Sequence, residues 1–183
     1  MAGERGGAIL QGWDSYFTLL GTAAASLIGL LFVVVTLTAG RDRSRARRGQ
    51  KLYLTPCVLN FAIVLSLSAM TMVPGLGAAR ATVLVAVAAI VGLTNAAWAC
   101  IGIWAMRASG DPPHWTDLWL YGVAPAAIYA ALAAACVGFM THAAWAPRVL
   151  AVGLLALLLV SIRNAWDLVT WLATAADRPS NAG

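Results

Sequence analysis

Charge is what this chain has least of. Only 10% of its 183 residues are charged and 61% are hydrophobic, where an ordinary soluble domain is about 25% charged. A compact body of this size has too much surface to hide that much apolar side chain from water. A water-soluble globule is therefore excluded, and so is a disordered chain. What remains is a polypeptide whose solvent is largely lipid.

Chemistry-bearing residues are also scarce. His114 and His142 are the only histidines, Lys51 is the only lysine, and the three cysteines, Cys57, Cys100 and Cys136, form no Cys-x-x-Cys pair. An odd number of cysteines inside apolar runs reads as small buried hydrophobes rather than as a disulfide framework. The histidines fall on opposite sides of the topology derived below, so they cannot hold one haem, and no His/Cys cluster has zinc-ligand spacing. No Gly-x-Ser-x-Gly and no phosphate-binding loop occurs. Asp167 is the single acid deep in an apolar run, so paired carboxylates are missing too. The expectation is no catalytic residue, no cofactor and no metal.

The apolar residues are arranged in five long runs, at about 16–39, 53–73, 81–106, 118–140 and 147–173. Each is close to the roughly 20 residues a bilayer-spanning helix needs. None alternates with period two, so a membrane β-barrel is excluded. Short connections make successive helices antiparallel. The fold expected is an all-α, polytopic bundle of five transmembrane helices in one domain. The first run is too long for a secretory signal, and its positive charge follows it instead of preceding it, so it reads as a retained helix.

Orientation follows from charge. The 40–52 segment holds Arg41, Arg43, Arg45, Arg47, Arg48 and Lys51 against one acid, Asp42. That accounts for the whole formal net charge of +5, and the rest of the chain is neutral. Lys and Arg collect in cytoplasmic loops, which places this loop inside, the N-terminus out and the C-terminus in. Its bases would also meet anionic lipid headgroups. With no aromatic residue to stack on a base, the loop is a poor nucleic-acid binder. Interfacial tryptophans fit these boundaries. Trp13 and Trp145 fall near the outer face and Trp104, Trp115, Trp119 and Trp171 near the inner face, while Trp98 falls inside the third run.

Two kinds of signal remain. Gly21, Ala25 and Gly29 are spaced by four, a small-residue stripe suited to close helix approach within the subunit or between subunits. Gly92, Ala96 and Cys100 form a weaker version, and Tyr121, Pro125 and Tyr129 share a face on the fourth run, where the proline is expected to bend the helix. The second kind is polar. Arg163 and Asp167, four apart, can pair along one helix face. With Asn164, Asn60 and Asn95 they form a candidate intramembrane polar site, lining a path or bonding helices together.

The opening, Trp13-Asp14-Ser15-Tyr16-Phe17 followed by Gly21-Thr22-Ala23-Ala24-Ala25-Ser26-Leu27-Ile28-Gly29-Leu30-Leu31-Phe32-Val33, resembles that of a widespread group of small bacterial membrane proteins, some labelled modulator of FtsH protease. The Tyr121-x-x-x-Pro125-x-x-x-Tyr129 spacing is similar as well. The resemblance implies a multi-pass protein of a bacterial inner membrane and brings no catalytic residues. The functional expectation is a non-enzymatic, homo-oligomeric channel or small transporter with a polar intramembrane path. The alternative is a regulatory or interaction protein for a larger membrane partner such as a membrane protease, and an intramembrane enzyme ranks third.

Overall fold

The computed structural model describes residues 10, 12–38, 55–108 and 118–176, without the side chains of 37–38, 106–108 and 171–176. It is an all-helical bundle with no strand among the described residues. Helix α1 spans Asp14–Thr38, α2 Thr55–Thr71 and α3 Ala78–Ala108. A π-helical turn, Leu118–Val123, runs into α4, Ala124–Met140, and α5 spans Ala146–Ala176. All five apolar runs are thus helical. Four stretches are long and apolar enough to cross a membrane: Asp14–Thr36, Ala78–Ala105, Leu118–Met140 and Ala146–Thr170. Helix α2, with 17 residues, is the shorter apolar one. At 1.5 Å per residue it reaches only about 25 Å.

The helices run up and down. Tyr16 near the start of α1 donates from its hydroxyl to the carbonyl of Ala151 near the start of α5 (2.9 Å). Thr18 Oγ1 donates to Met72 Sδ, just past α2 (3.5 Å). The start of α1 and the turns at 72–77 and 141–145 therefore share one end of the bundle, called here the turn end. The end of α1, the start of α2, the end of α3 and the π-helical turn at 118–123 lie toward the opposite end.

The turn between α4 and α5 is closed by backbone bonds, not by a glycine. Ala143 N donates to Gly138 O (2.8 Å) and His142 N to Phe139 O (3.3 Å), the paired bonds of a Schellman cap. His142 sits at φ +54°, where glycine is the usual occupant. The glycine lies earlier instead. A Cβ on Gly138 would stand 2.7 Å from the Trp145 ring and 2.8 Å from Ala146 Cβ, so its absence lets the two helices meet at once.

Side-chain placement is that of a bundle in an apolar solvent. Phe17, Phe61, Tyr129, Phe139, Leu132, Leu150, Leu154 and Leu157 are buried inside. Phe32, Val87, Val137, Val152 and Leu159 point outward, as do Trp98, Trp104, Trp119 and Trp166. Trp98, the outlier of the sequence reading, faces away from the bundle and is 72% exposed. Helix α3 carries on to Ala108, which puts Trp98 and Trp104 together in its last third.

Candidate functional site

The tightest seam in the bundle lies between α3 and α4, and it uses the two motifs that stand out in the sequence of those helices. A Cβ on Gly92 would collide with the Tyr129 ring at Cε1, Cζ and Cδ1. Nearer the other end, a Cβ on Gly122 would collide with Cys100 Sγ. Ala96 and Pro125, both buried, lie between these two contacts along their helices. The Gly92-Ala96-Cys100 stripe thus packs on the helix that carries Pro125 and Tyr129, with Gly92 making room for the Tyr129 ring and Gly122 for the Cys100 side chain.

Each tyrosine reaches past the seam to a polar partner. Fully buried Tyr129 donates from its hydroxyl to Asn60 Oδ1 on α2 (2.7 Å). Gly92, Tyr129 and Asn60 therefore join α3, α4 and α2 at one level, about 16–21 Å from the turn end along the helices. Tyr121 donates to the main-chain carbonyl of Asn164 on α5 (2.9 Å), and Asn164 Nδ2 returns a bond to the carbonyl of Leu120 (2.9 Å). The second node lies about 27 Å from the turn end.

Proline explains the second node. Pro125 has no N–H to give to the carbonyls four and five residues before it, Tyr121 and Leu120. The helix there is wound as a π-turn rather than as a bent α-helix, which refines the bend expected from the sequence. Asn164 supplies the donor that the proline lacks. Its Oδ1 is buried without a hydrogen-bond partner, as are Ser161 Oγ one turn earlier and Ser68 Oγ on α2.

The polar residues singled out in the sequence are not gathered at one place. Asn60 and Asn164 are buried in separate nodes. Arg163 and Asp167 form an ion pair one helical turn apart, but on the outside of α5, with side chains 51% and 39% exposed. Asn95 is half-buried on α3. Thr71 and Thr94 return their hydroxyls to their own helices, on Ser68 O and Val91 O, as helical threonines commonly do. Arg41, Arg43, Arg45, Arg47, Arg48 and Lys51 lie outside the described residues.

The α1 stripe divides. Gly21 is buried, and a Cβ there would meet Ser68 Cβ at 3.2 Å, so it packs on α2. Ala25 and Gly29 are exposed, and nothing approaches Gly29 within 4 Å. Sequence reasoning ranked this stripe above the one on α3, whereas the closer approach belongs to α3. The missed signal was the partner: Tyr129 stands out on α4, and a ring of that size needs a glycine opposite. Among the described residues no group of three or more His, Cys, Asp or Glu is placed to hold a metal ion.

Compared with known proteins, the chain matches no family model, no curated protein and no solved structure.

Proposed function

We propose that the chain is a non-enzymatic, five-span protein of a bacterial inner membrane, with its N-terminus out and C-terminus in, that acts by binding a larger membrane partner. Ring positions support the membrane placement. Trp145 and Trp166 stand 21 residues apart across α5, about 32 Å, close to the roughly 30 Å of a bilayer's hydrocarbon core. Trp119 and Trp104 fall near the Trp166 level on their own helices, and tryptophan favours such interfaces. The Arg163–Asp167 pair brackets the same level, where the arginine stem reaches headgroups. Helix α2 stops short of that level, and the segment that precedes it in sequence carries six bases. That segment sets the orientation by the positive-inside rule.

The observation that carries the functional reading is where the polar side chains go. Asn60, Tyr129, Tyr121 and Asn164 bond one another or main chain across helices. They serve the bundle's shape, so the apolar outer faces are what the described helices chiefly offer to other molecules, and the basic 41–51 sequence is the charged segment to test. A photo-crosslinker at residue 46 in the intact membrane tests this. Capture of one consistent membrane protein, lost when Arg45, Arg47 and Arg48 are changed to Gln, supports the reading; recovery of lipid alone overturns it.

Exposed Ala25 and Gly29 favour one second reading, a channel or small transporter assembled from several copies of the chain through α1. Flux across liposomes carrying the purified protein, altered by Gly29→Leu, would support it; no flux from the wild type would sink it.

A further inference from the structure

Helices α2 and α3 follow one another in sequence yet do not close against each other along their length. Between them runs a groove of about 330 Å³, lined chiefly by Leu59, Ile63 and Met70 on α2 and Leu84, Val87 and Val91 on α3. The three α3 residues are exposed. From Leu59 to Met70 the groove extends eleven residues, about 16 Å. That is half of a hydrocarbon core about 30 Å thick, or the depth of one leaflet.

Charge stands at one mouth of this groove. Arg80, Leu84, Val87 and Val91 follow the i, i+4, i+7, i+11 spacing of a single helix face. Arg80 is exposed in the first turn of α3. Side chains lean toward the N-terminus of their helix, and the N-terminus of α3 is at the turn end. The guanidinium therefore extends from the groove toward the headgroup layer. Among the described residues the acids are Asp14, on α1, and Asp167, paired with Arg163 at the opposite end.

We propose that Arg80 and the α2–α3 groove form a binding site for one anionic phospholipid of the turn-end leaflet, with the phosphate on Arg80 and one acyl chain along Val87 and Val91. A planar guanidinium suits a phosphate diester, which it can hold by two parallel hydrogen bonds. The groove supplies apolar contact over the length of a single leaflet, with Ser66 as the one polar side chain in its lining. The site rests on the membrane placement proposed above.

The test is native mass spectrometry of the full chain released from nanodiscs containing equal amounts of palmitoyl-oleoyl phosphatidylglycerol and phosphatidylethanolamine. The wild type should retain one phosphatidylglycerol. Arg80→Gln should lower that occupancy about tenfold, and Val87→Trp, which fills the groove from its exposed side, should lower it as far. Arg148→Gln, which alters another exposed turn-end arginine on α5, should leave it unchanged. Equal retention by the wild type, R80Q and V87W overturns the site, and so does an equal fall in R148Q, which would mean a diffuse lipid shell. Quenching of tryptophan by brominated lipid, read in the same discs, separates the two proposals: quenched protein without a selective lipid refutes the site alone, and unquenched protein refutes the membrane placement. Loss of helical circular dichroism in V87W would hand its role to Val91→Phe, with the same expectation.

Discussion

Replacing Gly92 by alanine should be among the most damaging single-methyl additions in this chain. The new Cβ would stand against one edge of the Tyr129 ring, far inside the closest approach that real Cβ atoms show. The ring must retreat by roughly 1 Å or more to regain a carbon–carbon contact of about 3.5 Å. It is fully buried, so it has nowhere free to go, and overpacking of this kind costs about 1–3 kcal/mol. The retreat also carries the hydroxyl away from Asn60 Oδ1, now 2.7 Å away, a bond worth about 0.6–2 kcal/mol between membrane helices. Alanine's better helix propensity returns at most about 1 kcal/mol. The net expectation is a loss of about 1–4 kcal/mol. Reversible unfolding in mixed micelles of dodecyl maltoside and dodecyl sulfate, followed by circular dichroism, measures it. The decisive control is Tyr129→Ala. Once the ring is gone, Gly92→Ala should cost little, so the two changes must be strongly non-additive. Unchanged stability of G92A, or simple additivity in the double variant, would refute the packing argument.

Three further outcomes follow from other contacts. Asn164→Leu removes the donor to Leu120 O, so it should lose about 1–2 kcal/mol in the same unfolding assay; loosening the Gly122–Cys100 contact should also speed alkylation of Cys100 by maleimide, while fully packed Cys57 stays unreactive. Gly21→Leu must displace Ser68 and should destabilise by about 1–3 kcal/mol, whereas Gly29→Leu meets open space and should leave unfolding of the single chain unchanged. Tyr129→Phe should cost more than Tyr16→Phe, because it strands a buried amide oxygen while Tyr16 is only half-buried on Ala151.

The bundle itself is legible in the sequence. Five apolar runs gave five helices, and Leu118–Met140 begins and ends as read, because the run lengths and flanking polar residues delimit helices directly. The pairing of helices was not legible. Periodicity finds a small face, but which face meets which depends on shape complementarity across the bundle. Gly92 and Tyr129 are 37 positions apart, and nothing local to either states that they touch. The place of Arg163 along α5, 17 residues past Ala146, follows from counting. Its direction does not, because Arg163 and Asn164 are adjacent in sequence yet point outside and inside. In a uniformly apolar helix the usual contrast between a wet and a dry face is missing, so sequence pattern carries little information about rotation. The orphaned carbonyls ahead of Pro125 were an available signal, since a proline inside a span predicts that some polar side chain must answer it, and Asn164 does.

Where the bilayer meets the bundle decides the functional reading. Depth-resolved quenching by lipids brominated at different acyl positions, applied to variants that keep only Trp98, only Trp119 or only Trp166, measures that most directly. Trp119 and Trp166 should be quenched best by bromines near the headgroups, and Trp98, about 9 Å before Trp104 on α3, by bromines part-way down the acyl chains. Quenching of Trp119 and Trp166 that peaks for bromines at the bilayer centre, or no quenching of any of the three, would contradict the placement and the functional reading built on it.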